Sequence, residues 1–435
     1  MTAIRQRKSA PDVGYIRADP SKGSFLMQKL PALPAAPQAF AETLSRGRSV
    51  PDVGKEQCVQ SEKIKVDIAI EEAFFPTAHE ILAARELVTN IEHVTRAKGK
   101  SLIEVSQTHA LVTRNSLFGT YDVRPANPDA AHRRVMTVCA PWSMEGYRLF
   151  YATRSLYRKA IPHEEVIEFN ERGDLISTPV NITQIPLLIV RMPVRPGLRA
   201  LCFSVLDAID EATGSNVFYE EVRRQRSTAA WVINLRRWLS GLNIGTVAIV
   251  GMNSTHAKAN GFPEFLAGLN EIVDTTGGLA LSMSPALYHG IAETELDLLC
   301  PTPPIQINGY AASDCDALAR HCWALLGRPE PMPDAMVAAI RSTYGQRQWI
   351  KLVLRELNRR LTGRRKLPDE LFTRLVDRAC AGVAKQRGLW NGLEIDSATA
   401  ARLRDWIPLE WSKNRKSKDG KLLPLCAPEK TGDAS

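Results

Sequence analysis

Short apolar segments alternate with longer amphipathic segments through the middle third of the chain, and this alternation limits the fold more than any other feature. A strand buried in a parallel sheet is a short apolar run, and the crossover that follows it is usually a helix with one apolar face. The predicted strands are Arg133–Ala140, Ile185–Val194, Thr246–Met252, Gly278–Ser284, Pro304–Tyr310 and an edge element at Val166–Glu171. The predicted helices between them are Gly197–Glu211, Tyr219–Leu239 and Pro263–Val273. The pattern predicts a three-layer α/β domain with a mainly parallel sheet.

The flanking regions differ from this core in composition and complete the predicted domain plan. Residues 1–65 are rich in Pro, Ala and Ser and predict an extended, partly disordered arm, and residues 66–130 predict a helical N-terminal region. The α/β core then occupies residues 131–310. Residues 311–410 repeat helical segments that end at glycines and predict an all-helical lid. Residues 411–435 predict a basic, disordered tail.

The composition is ordinary for a globular protein and argues against membrane insertion. The 435-residue chain has no apolar run of about 18 residues, the length that a membrane-spanning helix needs. Its basic N-terminus has no apolar segment of the kind that a secretory signal requires. The eight cysteines never form a C-x-x-C pair, which is typical of reduced thiols in a cytoplasmic protein. We therefore expect a cytoplasmic protein with no membrane partner.

Positive charge is concentrated near the C-terminus. The formal net charge is +9, but residues 341–421 alone carry 20 Lys and Arg against 9 Asp and Glu. A basic region on a near-neutral body predicts contact with a polyanion, most often DNA, although a solvated helical face gives the same pattern. The candidate DNA-binding residues are Arg359, Arg360, Arg364, Arg365, Lys366, Lys413, Arg415, Lys416 and Lys418.

Three stretches of the core follow one another in a fixed order along the chain, and each has the features of a particular core element. "LLIVRMPVRPGLRALCFSVLDAID" has the features of a second core strand with its helix, "LNIGTVAIVGMN" those of a Walker B strand, and "EIVDTTGGLALSMSPALYHGI" those of a helix with a sensor strand. In this order, from about Phe74 to Leu326, the chain resembles AAA+ ATPases and, among them, the TnsC/TniB-like regulators of DNA transposition. The resemblance implies an AAA+-like P-loop core followed by a helical lid.

The resemblance also implies partners. They are DNA, a DDE-type transposase, a TnsC-like ATPase paralogue or a target-selection protein, and other copies of the chain in a homo-oligomer. In the lid, Arg341, Arg347 and Arg355 stand where sensor arginines would be expected, although the sequence favours solvated or DNA-contacting roles for them.

The segment that should bind nucleotide phosphates lacks the residues for it. A working Walker A loop reads G-x-x-x-x-G-K-[ST], because backbone N–H groups and the lysine neutralise phosphates while the hydroxyl binds Mg²⁺. Here Pro141 replaces the first glycine, and Gly146 is followed by Tyr147 and Arg148. Glu145 adds an anion where phosphate would lie.

The Walker B and sensor positions have changed as well. Gly251 and Met252 stand where an Asp would hold Mg²⁺ and a Glu would polarise water, and Ser284 alone keeps a hydroxyl at the sensor-like position. The joint loss predicts a non-catalytic, AAA+-like scaffold without a nucleotide cofactor. Two alternatives stay open, namely a divergent regulator that still binds ATP and Mg²⁺, and an unrelated DNA-binding α/β protein. The grouping of Cys315, His321 and Cys322 lacks a fourth metal ligand and is assigned to helix packing.

Overall fold

A computed structural model describes most of the chain between residues 25 and 378. The described residues are 25–45, 59–98, 133–169, 175–223, 227–291, 302–326, 331–341, 343, 345–360 and 370–378. The predicted tail at 411–435 lies outside them. In the predicted arm, helix α1 (Pro37–Ser45) packs Phe40 and Leu44 into the core beside helix α3.

Five parallel strands form the central sheet, in the order β4-β5-β6-β1-β7. They are β1 (Arg134–Cys139), β4 (Leu187–Arg191), β5 (Thr246–Met252), β6 (Gly278–Met283) and β7 (Ile305–Gln306). All of β6 is buried, as expected of a central strand covered on both faces. Strand β1 lies inside the sheet, so the loop after it opens in the middle of the carboxyl edge, as the phosphate loop of a P-loop protein does. The predicted α/β class with a mainly parallel, P-loop-like sheet is confirmed.

Helices cover both faces of this sheet. The helices of the N-terminal region are α2 (Val59–Glu72) and α3 (Ala78–Lys98), and those of the core are α4 (Tyr147–Ser155), α5 (Leu198–Thr213), α6 (Val217–Arg223), α7 (Thr228–Gly241), α8 (Phe262–Thr276) and α9 (Pro285–Ile291). Helices α3 and α4 pack on one face, and α5, α7 and α8 pack on the other. The single helix predicted at Tyr219–Leu239 is divided into α6 and α7.

The edge element predicted at Val166–Glu171 belongs to a separate hairpin. Strands β2 (Ile161–Phe169) and β3 (Leu175–Gln184) pair only with each other among the described residues, and they are antiparallel. The hairpin is inserted between α4 and β4. The hairpin does not pair with β4, so β4 is an edge strand of the described central sheet.

The lid consists of helices that pack around a core of their own. They are α10 (Cys315–Leu325), α11 (Asp334–Arg341), α12 (Arg347–Arg360) and α13 (370–378). Cys315, Cys322 and Trp349 are buried in this cluster together with residues of α2. The burial of Cys315 and Cys322 in this cluster agrees with the packing role predicted for them. No group of metal-ligating side chains occurs among the described residues. None of the described helices is both long and apolar enough to cross a membrane.

Candidate functional site: the loop after the first strand, closed by the lid

A shallow pocket lies at the carboxyl edge of the sheet, where β1, β5 and β6 end. Ligands of open α/β sheets bind at such an edge, at the point where successive crossovers leave toward opposite faces. Here α4 leaves β1 toward one face, and α9 leaves β6 toward the other. The lining residues include Trp142, Glu145, Tyr147, Gly251, Met252 and Ser284. The pocket encloses about 270 Å³, counting the solvent at its mouth.

The loop between β1 and α4 has the geometry of a tight turn, and its left-handed residue is Glu145 rather than Gly146. Glu145 has φ of 52°, a conformation that costs a residue with a Cβ about 1–2 kcal/mol. Gly146 has φ of −53°, and its role is close approach: a Cβ there would lie 2.5 Å from the Cβ of Ala140. The surrounding structure must therefore hold Glu145 in place, and two cations do so.

The Glu145 carboxylate is buried and forms ion pairs inside the protein. Its Oε2 atom lies 2.6 Å from Lys351 Nζ of α12 and 2.7 Å from Arg148 Nε of α4. Burial lowers the pKa of the Lys351 amine to about 8, although the Glu145 carboxylate acts in the opposite direction. A buried protein carboxylate thus lies at the loop between β1 and α4 and pairs with both cations that face it.

Arg347, one turn before Lys351 on α12, is the centre of a second buried group. Its guanidinium donates hydrogen bonds to both Glu80 carboxylate oxygens, at 2.9 and 2.6 Å, and to the carbonyl oxygens of Met144 and Phe75. Burial alone would lower the pKa of Arg347, but the charge of Glu80 and the Tyr310 hydroxyl hold this pKa above its usual value. Arg347 is 3% exposed, so the solvated or DNA-contacting role that the sequence favoured for it is wrong.

A third pair lies at the rim of the same interface. Glu71 of α2 accepts hydrogen bonds from Arg355 of α12 and, at 3.2 Å, from Arg148. Arg347, Lys351 and Arg355 follow one another at four-residue intervals, so they lie along one face of α12. We name these three cations and their partners Glu80, Glu145 and Glu71 the lid clamp. The clamp joins the lid to α2, α3 and the loop between β1 and α4.

The Walker B and sensor positions supply no charge to the pocket. Gly251 has φ of 90°, and Met252 is 1% exposed and packs in the core. The Asn253 side-chain oxygen accepts hydrogen bonds from the backbone N–H and the hydroxyl of Thr255. The Ser284 hydroxyl accepts the Leu287 N–H at 3.2 Å, in the first turn of α9. These four residues therefore serve the backbone and the core.

The residues present do not fit a nucleotide with Mg²⁺. Phosphates need free cations and N–H donors, whereas Lys351 and Arg148 already pair with Glu145 and would meet a like-charged carboxylate beside the phosphate. Mg²⁺ needs oxygen ligands, usually with a carboxylate among them, and positions 251 and 252 offer none. We therefore derive no phosphoryl-transfer step for this site.

Only part of the predicted DNA-binding set lies within the described residues. Arg359 is exposed near the end of α12, and Arg360 is the last residue of that helix. Arg364, Arg365, Lys366, Lys413, Arg415, Lys416 and Lys418 lie outside the described residues. Of the sensor-type arginines, Arg341 is exposed and pairs with Asp316, while Arg355 belongs to the lid clamp. The DNA-binding role stays a prediction.

Glu80 was not identified from the sequence, although a local signal for it exists. Thr77 and Glu80 form a capping box at the start of α3, in which Thr77 N donates to Glu80 Oε2 at 2.8 Å and Glu80 N donates to Thr77 Oγ1 at 3.1 Å. The T-x-x-E spacing predicts this cap. Nothing in the spacing predicts that the same carboxylate also binds Arg347, 267 residues further along the chain.

The low pKa of Lys351 predicts a specific pH dependence of stability. The unfolded chain holds this proton up to a pKa near 10.5, whereas the folded protein releases it near 8. The unfolded state therefore binds more protons between these values, and the Lys351 contribution to stability rises with pH across the window. Urea unfolding at several pH values should show wild type gaining up to about 3 kcal/mol relative to Lys351→Met from pH 8 to 10.5. A constant difference would contradict this assignment.

Comparisons with known proteins identify no family. The sequence matches no protein-family model, and no curated protein matches it either. Among solved structures, a Walker-type ATPase of Pyrococcus abyssi is similar with a TM-score of 0.38 and 12% sequence identity, over 62% of this chain and 76% of that chain. The fold class is given by the strand order and the helical layers described above.

Proposed function

We propose that the protein is a non-hydrolysing, AAA+-like accessory protein of DNA transposition, which acts as a scaffold for DNA and transposition partners. The observation that carries this proposal is the lid clamp. Glu145 supplies the anion at the degenerate loop, and α12 closes over it through Lys351 at 2.6 Å. In an ATPase the nucleotide would provide that charge, so here the closed arrangement of core and lid needs no ligand.

Assays of ATP turnover test the non-hydrolysing part of the proposal. Phosphate release should stay at the level of a protein-free control with millimolar Mg²⁺-ATP, with and without duplex DNA. Turnover that Arg148→Ala abolishes would instead favour the divergent ATPase. Arg148 is the informative position because it lies on α4 of the core and pairs with Glu145 of the loop.

DNA contact is proposed for the basic C-terminal region. The charge excess of residues 341–421 and the exposure of Arg359 support it. A chain that ends at residue 410 keeps all lid helices that the structure describes and lacks four of the nine candidate cations, and we expect its affinity for duplex DNA to fall at least about tenfold at low salt. The slope of log affinity against log salt concentration should become shallower by about 0.9 for each phosphate that the shortened chain no longer neutralises. Unchanged affinity and slope would contradict the proposal.

The transposition role rests on the sequence resemblance stretching from about Phe74 to Leu326. The proposed partners are a DDE-type transposase and either a TnsC-like ATPase paralogue or a target-selection protein. Affinity capture from cells that express these proteins, with and without nuclease treatment, tests the assignment. Direct partners should survive the nuclease, and recovery of none of them would contradict the transposition role.

A further inference from the structure

The loop between β4 and α5, at the carboxyl edge of the sheet, presents an apolar side chain to solvent. Val194 is 90% exposed, whereas the other exposed large apolar side chains of the described residues are between 45% and 59% exposed. Pro193 and Pro196 lie on either side of Val194 in the sequence, and proline rings restrict the backbone there. Single exposed apolar residues are common, so the charges around Val194 decide whether it belongs to a binding surface.

This loop is held in place by its neighbours. The Met192 N–H donates a hydrogen bond to the Val250 carbonyl oxygen of β5 at 2.8 Å. A Cβ at Gly261 would lie 2.4 Å from the Pro196 carbonyl oxygen, so the loop also touches the backbone of the segment between β5 and α8. A surface that is already ordered binds a partner without the entropy loss of ordering it.

Four exposed cations surround Val194, and we name them the arginine patch. They are Arg191 at the end of β4, Arg195 beside Val194, Arg199 at the start of α5, and Lys258 on the segment that touches the loop. Neither residues 191–206 nor residues 251–263 contain an acidic residue. The surface is therefore positively charged around an apolar centre.

The cations of the patch are not used in ion pairs within it. Within the described part of the chain, Arg195 and Lys258 form no ion pair and no hydrogen bond through their side chains. Arg191 Nε donates a hydrogen bond to the Tyr151 hydroxyl at 3.2 Å, which orients the guanidinium and leaves its charge in place. These side chains are available to an external anion.

Arg199 lies where a cation does not stabilise its own helix. It is the second residue of α5, whose first turn contains no acidic residue, and a helix N-terminus favours negative charge. Its guanidinium lies 4.9 Å from the centre of the Trp231 ring and 5.5 Å from that of Phe203, so aromatic contacts hold it at the surface. Like the unpaired Arg195 and Lys258, this charge suits binding better than it suits stability.

The acids nearest to the patch leave its charge positive. Glu211 lies on α5 but already pairs with Lys159 at 3.1 Å and with Arg154 at 3.5 Å. Along the chain, the next acids are Asp207 on α5 and Glu264 on α8. The four cations of the patch therefore outnumber the acids close to them, and an acidic partner is attracted to this surface.

The apolar centre favours a peptide over a nucleic acid. Bases of a single strand stack on exposed rings, whereas Trp231 is 7% exposed and Arg199 lies over the Phe203 ring. Phosphates would pair with the cations and leave Val194 uncovered. We propose that the arginine patch binds an acidic peptide segment of another protein, in which carboxylates flank a large apolar side chain. The carboxylates pair with the arginines while the apolar side chain packs on Val194.

Two labelled peptides test this proposal by fluorescence anisotropy. The first is a twelve-residue peptide with eight glutamates and four leucines, and the second has serine in place of each leucine. Wild type should bind the glutamate–leucine peptide at micromolar concentration at low salt, and at least about fivefold more tightly than the glutamate–serine peptide because only leucine covers Val194. Added salt should weaken both interactions, since exposed charges are screened.

Three variants assign the binding to the patch. Arg195→Glu with Lys258→Glu should weaken the binding of both peptides at least about tenfold, because like charges then face each other. Val194→Ser should lower the affinity for the glutamate–leucine peptide to that for the glutamate–serine peptide. The control Arg158→Glu with Arg374→Glu makes the same change in net charge at exposed positions outside the patch and should bind like wild type. Thermal unfolding should show each variant folded, and the patch variant no less stable than wild type.

Four outcomes would overturn the proposal. They are a wild type that binds neither peptide, equal affinity of wild type for the two peptides, a patch variant that binds like wild type, and a control variant that loses as much affinity as the patch variant. A duplex DNA of about 20 base pairs is the last arm. Loss of DNA binding by the patch variant with unchanged peptide binding would assign the patch to DNA and would also overturn the proposal.

This inference goes beyond the proposed function and does not depend on its nucleotide chemistry. ATP binding by wild type would contradict the non-hydrolysing scaffold and leave the peptide result standing. Failure of the peptides to bind would remove the role of the patch and leave the lid clamp unaffected. The two outcomes are therefore distinguishable.

Discussion

Replacing Arg347 with methionine is expected to lower the free energy of unfolding by about 3–5 kcal/mol. The substitution removes the charged partner of Glu80, whose side chain is 0% exposed and cannot reach water. It also leaves the carbonyl oxygen of Met144 without its Arg347 donor, while the Phe75 carbonyl oxygen keeps the Tyr310 hydroxyl as a donor. Breaking one member of a buried pair is costly because the remaining charge is uncompensated. Urea denaturation of wild type and the variant measures the effect.

Two further variants show whether the effect comes from burial. Arg341→Met removes an exposed arginine of the same domain, whose pair with Asp316 is solvated on both sides, and should change stability by less than about 1 kcal/mol. The double variant Glu80→Met, Arg347→Met removes both buried charges and should recover part of the loss. If Arg347→Met costs no more than Arg341→Met, the buried half of the lid clamp does not contribute to stability.

Replacing Glu145 with glycine should convert the clamp into an anion-binding site. The variant leaves Lys351 and Arg148 without their shared carboxylate, which destabilises the protein by about 3 kcal/mol. Glycine relieves the left-handed backbone at this position, so Glu145→Ala should be less stable than Glu145→Gly by about 1 kcal/mol. Inorganic phosphate can then enter between the two cations. At about fifty times its dissociation constant it should restore about 2 kcal/mol.

Thermal unfolding with and without phosphate measures this rescue. The shift in the unfolding temperature of wild type at the same phosphate concentration measures the general effect of phosphate on stability. The shift of Glu145→Gly in chloride at equal ionic strength measures the effect of charge screening. The variant Glu145→Gly, Lys351→Met removes one of the two cations and should lose most of the rescue. Equal stabilisation of wild type and Glu145→Gly by phosphate would mean that the Glu145 carboxylate does not occupy an anion site.

Much of the core was predictable because its signal is local. Strands β5 and β6 are apolar runs that are covered on both faces, so Thr246–Met252 was predicted with the bounds that the structure has. The carboxyl ends of parallel strands meet at one edge, which explains why positions 146, 251 and 284, separated by more than 100 residues in total, line one pocket. Residue types at these positions already predicted a site without metal-binding carboxylates.

The lid clamp could not be predicted, since it depends on contacts between distant segments. Lys351 and Glu145 are 206 residues apart, and Arg347 and Glu80 are 267 residues apart. A helix with cations at four-residue intervals is usually solvated, and that general expectation led to the wrong role for Arg347.

The central claim is that a carboxylate of the chain has taken the place of nucleotide phosphate, and a titration of the wild-type protein with Mg²⁺-ATP tests it most directly. Isothermal titration calorimetry compares the binding of the same ligand to two proteins. In wild type the Glu145 carboxylate fills the loop, and in Glu145→Gly the loop is open. We expect no saturable heat for wild type up to millimolar ATP, and weak, Lys351-dependent binding of phosphate-containing ligands by Glu145→Gly. Saturable binding of Mg²⁺-ATP to wild type at micromolar concentration would contradict it.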